Sequence, residues 1–165
     1  PLTLNAKVLS ITGGEPLIQA DFLKEFLPLA KKLKLKIYLD TNGTLPDQLK
    51  KVLPILDTIA MDFKLPSSTK ERSFWKEHEE FVRLSKRKEL FVKIVTTKQT
   101  QWADFKRSLD ILKKNAPRTW VYIQPSYGEL KTGIIEHCLA LYDKAVPIYP
   151  NIKLFPQVHK IMGIQ

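Results

Sequence analysis

The chain has 165 residues, 44% of them apolar, which suffices for one domain with a hydrophobic core. No apolar run approaches the roughly 20 residues a membrane span needs, and a lone cysteine, Cys138, excludes both a disulfide framework and any site built from several thiolates of this chain. The +10 charge raises nucleic acid as a partner, but Lys31, Lys32, Lys34, Lys50, Lys51, Arg83, Lys86, Arg87, Lys88, Lys113 and Lys114 fall where helices are expected to end. Cations there offset the helix dipole, and no aromatic residue alternates with them as single-strand binding favours.

In chain order, strand-like apolar runs occur at Val8–Thr12, Lys36–Thr41, Ile59–Lys64, Leu90–Thr96, Trp120–Gln124 and Ile152–Phe155. Helical patterns lie between them. Phe22, Leu23, Phe26, Leu27, Ala30 and Leu33 form one stripe, with Pro28 expected to kink that helix or mark its first turn. A shorter helix follows at Asp47–Leu53, bounded by Pro46 and Pro54. Phe74, Trp75, His78, Phe81 and Val82 make another stripe, which Ser68-x-x-Glu71 is expected to open as a capping box. Two more follow: Trp102, Phe105, Leu109 and Leu112, then Ile134, Ile135, Cys138, Leu139, Leu141, Tyr142 and Ala145. Alternating strands and helices predict right-handed βαβ units around a parallel sheet, in a single domain over residues 1–165. The units are too few for an eight-stranded barrel, so an open or partial barrel is expected.

The predicted strands end in polar residues: Thr12, Asp40-Thr41-Asn42, Asp62 and Lys64, Thr96 and Thr97, and Gln124. Ligands of parallel α/β folds sit outside the carboxyl ends of the strands, so these endings predict a shared site. The most informative stretch is Ser10-Ile11-Thr12-Gly13-Gly14-Glu15-Pro16. Two glycines directly after a strand let the backbone approach a ligand closely. Loop carbonyls can then accept from an ammonium group, Glu15 adds negative charge, and Pro16 stiffens the exit.

Gly13-Gly14-Glu15-Pro16 after an apolar strand resembles the motif by which radical S-adenosylmethionine enzymes hold the methionine amino group. Asp40-Thr41-Asn42-Gly43, Met61-Asp62-Phe63-Lys64, Val92-Lys93-Ile94-Val95 and Gln124-Pro125 resemble the following strand ends of that family. Leu154-Phe155-Pro156-Gln157-Val158-His159-Lys160 is similar to the C-terminal strand of its 7-carboxy-7-deazaguanine synthase branch. The resemblance implies a six-stranded partial barrel lacking its first strand–helix unit. It also implies S-adenosylmethionine and a 4Fe–4S cluster as cofactors, with room for a magnesium ion. The family holds its cluster through three cysteines after that first strand, and this sequence has no such loop. Truncation upstream of Pro1, rather than a degenerate relative, is therefore expected, and the chain alone is expected to be inactive.

Carried over residue by residue, the resemblance makes Gly13, Gly14, Glu15, Pro16, Asn42, Asp62, Phe63, Lys64, Gln124 and Pro125 cofactor-binding. Thr12, Gln157 and His159 would be substrate-binding, and no catalytic or metal-ligating side chain is assigned. Asp62 and Phe63 depart from the branch's Ser-Pro-Lys stretch, and Asn42-Gly43 is also simply a turn former. His78 reads as a core imidazole, His137 as a surface one and Cys138 as a small buried apolar group. The implied activity is a radical lyase-type conversion of a pterin-like small molecule in queuosine biosynthesis. Flavodoxin or ferredoxin would be the electron donor, the location cytoplasmic, and membrane and nucleic acid not partners. The alternatives are a glycyl-radical enzyme activase and a basic binding module with a lapsed cofactor site. An open sheet edge at Val8–Thr12 is expected to favour self-association, with a homodimer as one form.

Overall fold

The computed structural model describes residues 6–156. Six strands, β1 (Val8–Ile11), β2 (Lys36–Thr41), β3 (Thr58–Asp62), β4 (Glu89–Thr96), β5 (Trp120–Pro125) and β6 (Ile152–Leu154), form one sheet in the order β1-β2-β3-β4-β5-β6. Every neighbouring pair is parallel. Parallel neighbours need crossovers, and the helices supply them. These are α1 (Ala20–Lys32), α2 (Pro46–Val52), α3 (Pro66–Thr69), α4 (Trp75–Ser85), α5 (Trp102–Asn115) and α6 (Ile134–Ala145). Right-handed crossovers that always step the same way place their helices on one face of the sheet. Accordingly α1, α2, α4, α5 and α6 touch in succession. The other face stays open, and no pairing joins β1 to β6 among the described residues.

Burial follows the period-two alternation of a strand. Ile37, Leu39, Ile59, Met61, Val92, Ile94, Val121 and Ile123 point at the helices and are buried. Tyr38, Asp40, Asp62, Phe91, Lys93, Tyr122 and Gln124 alternate with them and are half-buried on the open face. Across that face Tyr38, Phe91, Tyr122 and Phe155 form a ladder of rings with centroids 5.8, 5.8 and 6.2 Å apart.

Two expectations about helices need correction. Ser68 and Glu71 do not open the helix that carries His78. Lys70 takes a left-handed φ of 61° and closes α3, α4 begins only at Trp75, and Ser68 Oγ pairs with Thr100 Oγ1 at 2.7 Å. The first helix carries two apolar stripes, not one. Ala20, Leu23, Leu27 and Ala30 are buried, while Phe22, Phe26, Leu29 and Leu33 are exposed. No described element packs on that outer side, so the second stripe has nothing to face. Pro28 lies within α1 on an exposed turn.

Candidate functional site

At the carboxyl ends of β1–β4 a cavity of about 340 Å³ is lined by Thr12, Gly13, Gly14, Asp40, Thr41, Asn42, Asp62, Lys64 and Lys93. Its size suits a small ligand. One wall is the loop after β1, where Gly13 takes φ 133°, a conformation a side chain would strain. Glu15 fixes this loop. Its Oε1 accepts from Leu17 N at 3.1 Å and Thr41 Oγ1 at 2.8 Å, and its Oε2 accepts from Asn42 N at 2.8 Å. The carboxylate is thus a brace between two loops, and Pro16 behind it starts a 3-10 segment over Pro16–Gln19.

The second wall is the turn after β2. Asn42 Oδ1 accepts from Thr44 N at 3.0 Å and Thr44 Oγ1 at 2.6 Å, closing a tight side-chain turn. Gly43 follows at φ 68°, and a Cβ added there would lie 2.6 Å from Met61 Cε. The third wall is Asp62-Phe63-Lys64. Lys64 Nζ donates to Asp62 Oδ2 at 2.6 Å, whereas Asp62 Oδ1 is buried without a partner. A buried acceptor left unpaired is costly, so this oxygen is a natural point for a ligand donor. The Phe63 ring is turned into the core against Trp75 and His78.

One lining residue that the sequence analysis did not assign to the site, Lys93, completes it. Lys93 Nζ donates to both oxygens of Asp40, at 2.6 and 2.8 Å. A lysine in the apolar run Val92-Lys93-Ile94 was the available signal, since only the open face of a strand tolerates it. Tyr38, below Asp40, has its phenol pushed up to about 12 by burial and by the Asp40 charge.

The structure therefore brings Thr12, Gly13, Gly14, Asn42, Asp62 and Lys64 together, with Glu15 behind them. Gln124 and Pro125 stand further along the sheet, where β5 pairs with β4 and Gln124 lies opposite Val95. Gln157 and His159 fall outside the described residues. His137 is partly buried, its Nε2 on Thr100 O at 2.9 Å. Among the described residues no group of three His, Cys, Asp or Glu is placed to hold a metal ion. The residues present do not fit an iron–sulfur cluster either. Cys138 is buried on α6, bonded to Thr96 Oγ1 at 2.9 Å, with its thiol pushed up by burial. No described helix is long and apolar enough to cross a membrane.

No family model matches the chain. It is 31% identical over 157 residues to a 7-carboxy-7-deazaguanine synthase of Geobacter sulfurreducens, across 94% of this chain and 62% of that enzyme. With the 7-carboxy-7-deazaguanine synthase of Methanopyrus kandleri it shares 28% over 158 residues, 93% of this chain and 59% of that one. A glycyl-radical enzyme activating enzyme of Methanocaldococcus jannaschii is 35% identical over 63 residues, 37% of this chain and 26% of the enzyme. The chain thus spans about three fifths of the length of the two synthases. Among solved structures, a domain of pyruvate-formate lyase-activating enzyme from Bacteroides vulgatus superposes with a TM-score of 0.66. It covers 91% of this chain and 99% of that one at 16% identity, a likeness of fold.

Proposed function

We propose that this chain carries the part of a radical S-adenosylmethionine enzyme that binds the nucleoside cofactor, a reading supported by its likeness to the two synthases. The observation that carries the reading is the convergence of a glycine loop, a lysine and an unpartnered carboxylate oxygen on one cavity. Loop carbonyls at Gly13–Gly14 and the free Asp62 Oδ1 accept from the methionine ammonium. Lys64 turns from Asp62 to the cofactor carboxylate, and Asn42 sits where it meets the ribose or the methionine. Gln124 and Pro125 lie toward the adenosyl end and Thr12 toward the substrate. S-adenosylmethionine bound there would supply the hydrogen-abstracting radical only with an iron–sulfur cluster whose thiolates this chain, with Cys138 as its one cysteine, does not provide. This chain's own residues bind, orient and exclude water.

The synthase relatives favour conversion of 6-carboxytetrahydropterin to 7-carboxy-7-deazaguanine as the reaction. A specific observation favours a second reading, activation of a glycyl-radical enzyme. Asp62 and Lys64 pair where the synthase branch has Ser-Pro-Lys, and a glycyl-radical enzyme activating enzyme matches 63 residues of this chain at 35% identity. Calorimetry on the reconstituted holoenzyme tests the shared part: Lys64→Met is expected to weaken S-adenosylmethionine binding by about tenfold or more. Unchanged affinity removes Lys64 from the site. Turnover of the pterin decides for the synthase, and a glycyl radical detected by electron paramagnetic resonance on a partner protein decides for the activase.

A further inference from the structure

His78 sits on the helix side of the sheet, fully buried, yet it reaches the rim of the cavity. Its Nε2 lies 3.1 Å from the Asn42 carbonyl oxygen. A carbonyl only accepts, so Nε2 carries the proton and donates. The ring packs on Phe63 with centroids 4.3 Å apart, and Phe74 lies at 6.0 Å. Nδ1 is buried without a partner. A residue serving only to fill space would be apolar, because an unpaired buried nitrogen is costly. The bond to Asn42 is what the imidazole gains in return.

That bond grips a peptide already held on its other side. Asn42 N donates to Glu15, the brace of the Gly13–Gly14 loop, while Asn42 C=O accepts from His78. The next residue, Gly43, turns at φ 68° over the Met61 side chain, where an added Cβ would come within 2.6 Å of Met61 Cε. Phe63, which His78 also touches, stands between Asp62 and Lys64. Two contacts of one side chain therefore bear on all three walls of the cavity.

We propose that His78 is a positioning residue for this site, holding the Asn42–Gly43 turn and Phe63 so that Glu15, Asp62 and Lys64 keep their places before a ligand arrives. The ligand half of the inference rests on the nucleoside reading; the clamp itself does not.

Two variants test it. His78→Phe keeps an apolar ring and loses the donor, whereas His78→Gln keeps a donor at comparable reach. Amide hydrogen exchange in the chain is expected to quicken roughly tenfold at Gly43 and Thr44 in His78→Phe, with Val92 and Ile94 unchanged, and to return to the original rate in His78→Gln. Unchanged rates at Gly43 and Thr44, or equal quickening at Val92 and Ile94, overturn the clamp and leave a packing role. In the reconstituted holoenzyme His78→Phe is expected to weaken S-adenosylmethionine binding about tenfold, with rescue by His78→Gln. If exchange responds and affinity does not, positioning for the ligand is overturned. If the unmodified holoenzyme binds no S-adenosylmethionine, the nucleoside reading fails while the exchange rates still decide the clamp.

Discussion

Between β3 and β5 the sheet lies under α4 and α5, and Ile59, Val92, Ile94, Val121 and Ile123 are wholly shielded from water. Along β1 and α1 the apolar content is similar, yet Ile18, Phe22, Leu29 and Leu33 are 69, 61, 56 and 74% exposed. Phe22 and Phe26 stack on one another, with ring centroids 5.5 Å apart, in place of a neighbouring element. The two regions follow the same patterning rule and differ in whether a second layer covers them. A contiguous apolar stripe beside a strand edge that is unpaired among the described residues favours association. Apolar spacing therefore shows which faces want cover and says nothing of what provides it.

The largest expected effect lies in the covered region. Phe105 is fully buried beside Trp102, and Phe105→Ala should cost about 3–5 kcal/mol in denaturant unfolding, because the emptied volume cannot collapse between α5 and the sheet. A loss under about 1 kcal/mol would mean that the centre is no better packed than the flank.

Next comes acid. Burial lowers the His78 pKa to about 4, against the ordinary value of 6.5, with Lys64 acting in the same direction and the Asn42 bond and Glu77 opposing. The unfolded chain takes up this proton first, so stability present above pH 6.5 is lost as the pH falls toward 4. The loss is of order 3 kcal/mol. Replacing His78 with glutamine should flatten unfolding free energy between pH 6.5 and 4. It should leave intact the decline at lower pH, where carboxylates held down by cations, such as Asp57 beside Lys31, take up protons. A slope that survives the substitution would assign the acid sensitivity elsewhere.

The smallest stability effect is expected on the flank. Phe22→Glu with Leu29→Glu should shift unfolding by no more than about 0.5 kcal/mol per substitution. Sedimentation should nonetheless show less self-association at high concentration. If association is unaffected, the exposed stripe is not its cause.

Much of the architecture was legible in the sequence because strands and helices of a parallel sheet announce themselves by apolar run length. All six strands fall within a residue or two of their expected bounds: Ile59–Lys64 is Thr58–Asp62, and Leu90–Thr96 is Glu89–Thr96. The glycine loop and the Asp62–Lys64 ending were legible as chemistry at strand ends, and the structure brings them to one cavity. The break at Lys70 was not, since a single left-handed residue leaves no mark on a helical period. The Asp40–Lys93 pair was hidden for another reason. It joins residues 53 positions apart across an intervening strand, and only the registers of β2 with β3 and of β3 with β4 bring them near. His78 read correctly as buried, but its bond to Asn42 depends on how α4 lies against the β2 turn, which periodicity does not encode.

The strand order has a consequence for how the chain is made. Because β1 to β6 stand in the order of synthesis, each new strand pairs at the edge its predecessor has just left. No strand has to be inserted between two that are already joined. Sheets whose order is shuffled must hold a gap open, or pair wrongly and start again, until a late strand leaves the ribosome. This one can lengthen by a strand and its covering helix at a time, at a pace of roughly 5–20 residues per second, with its growing edge always at the newest strand.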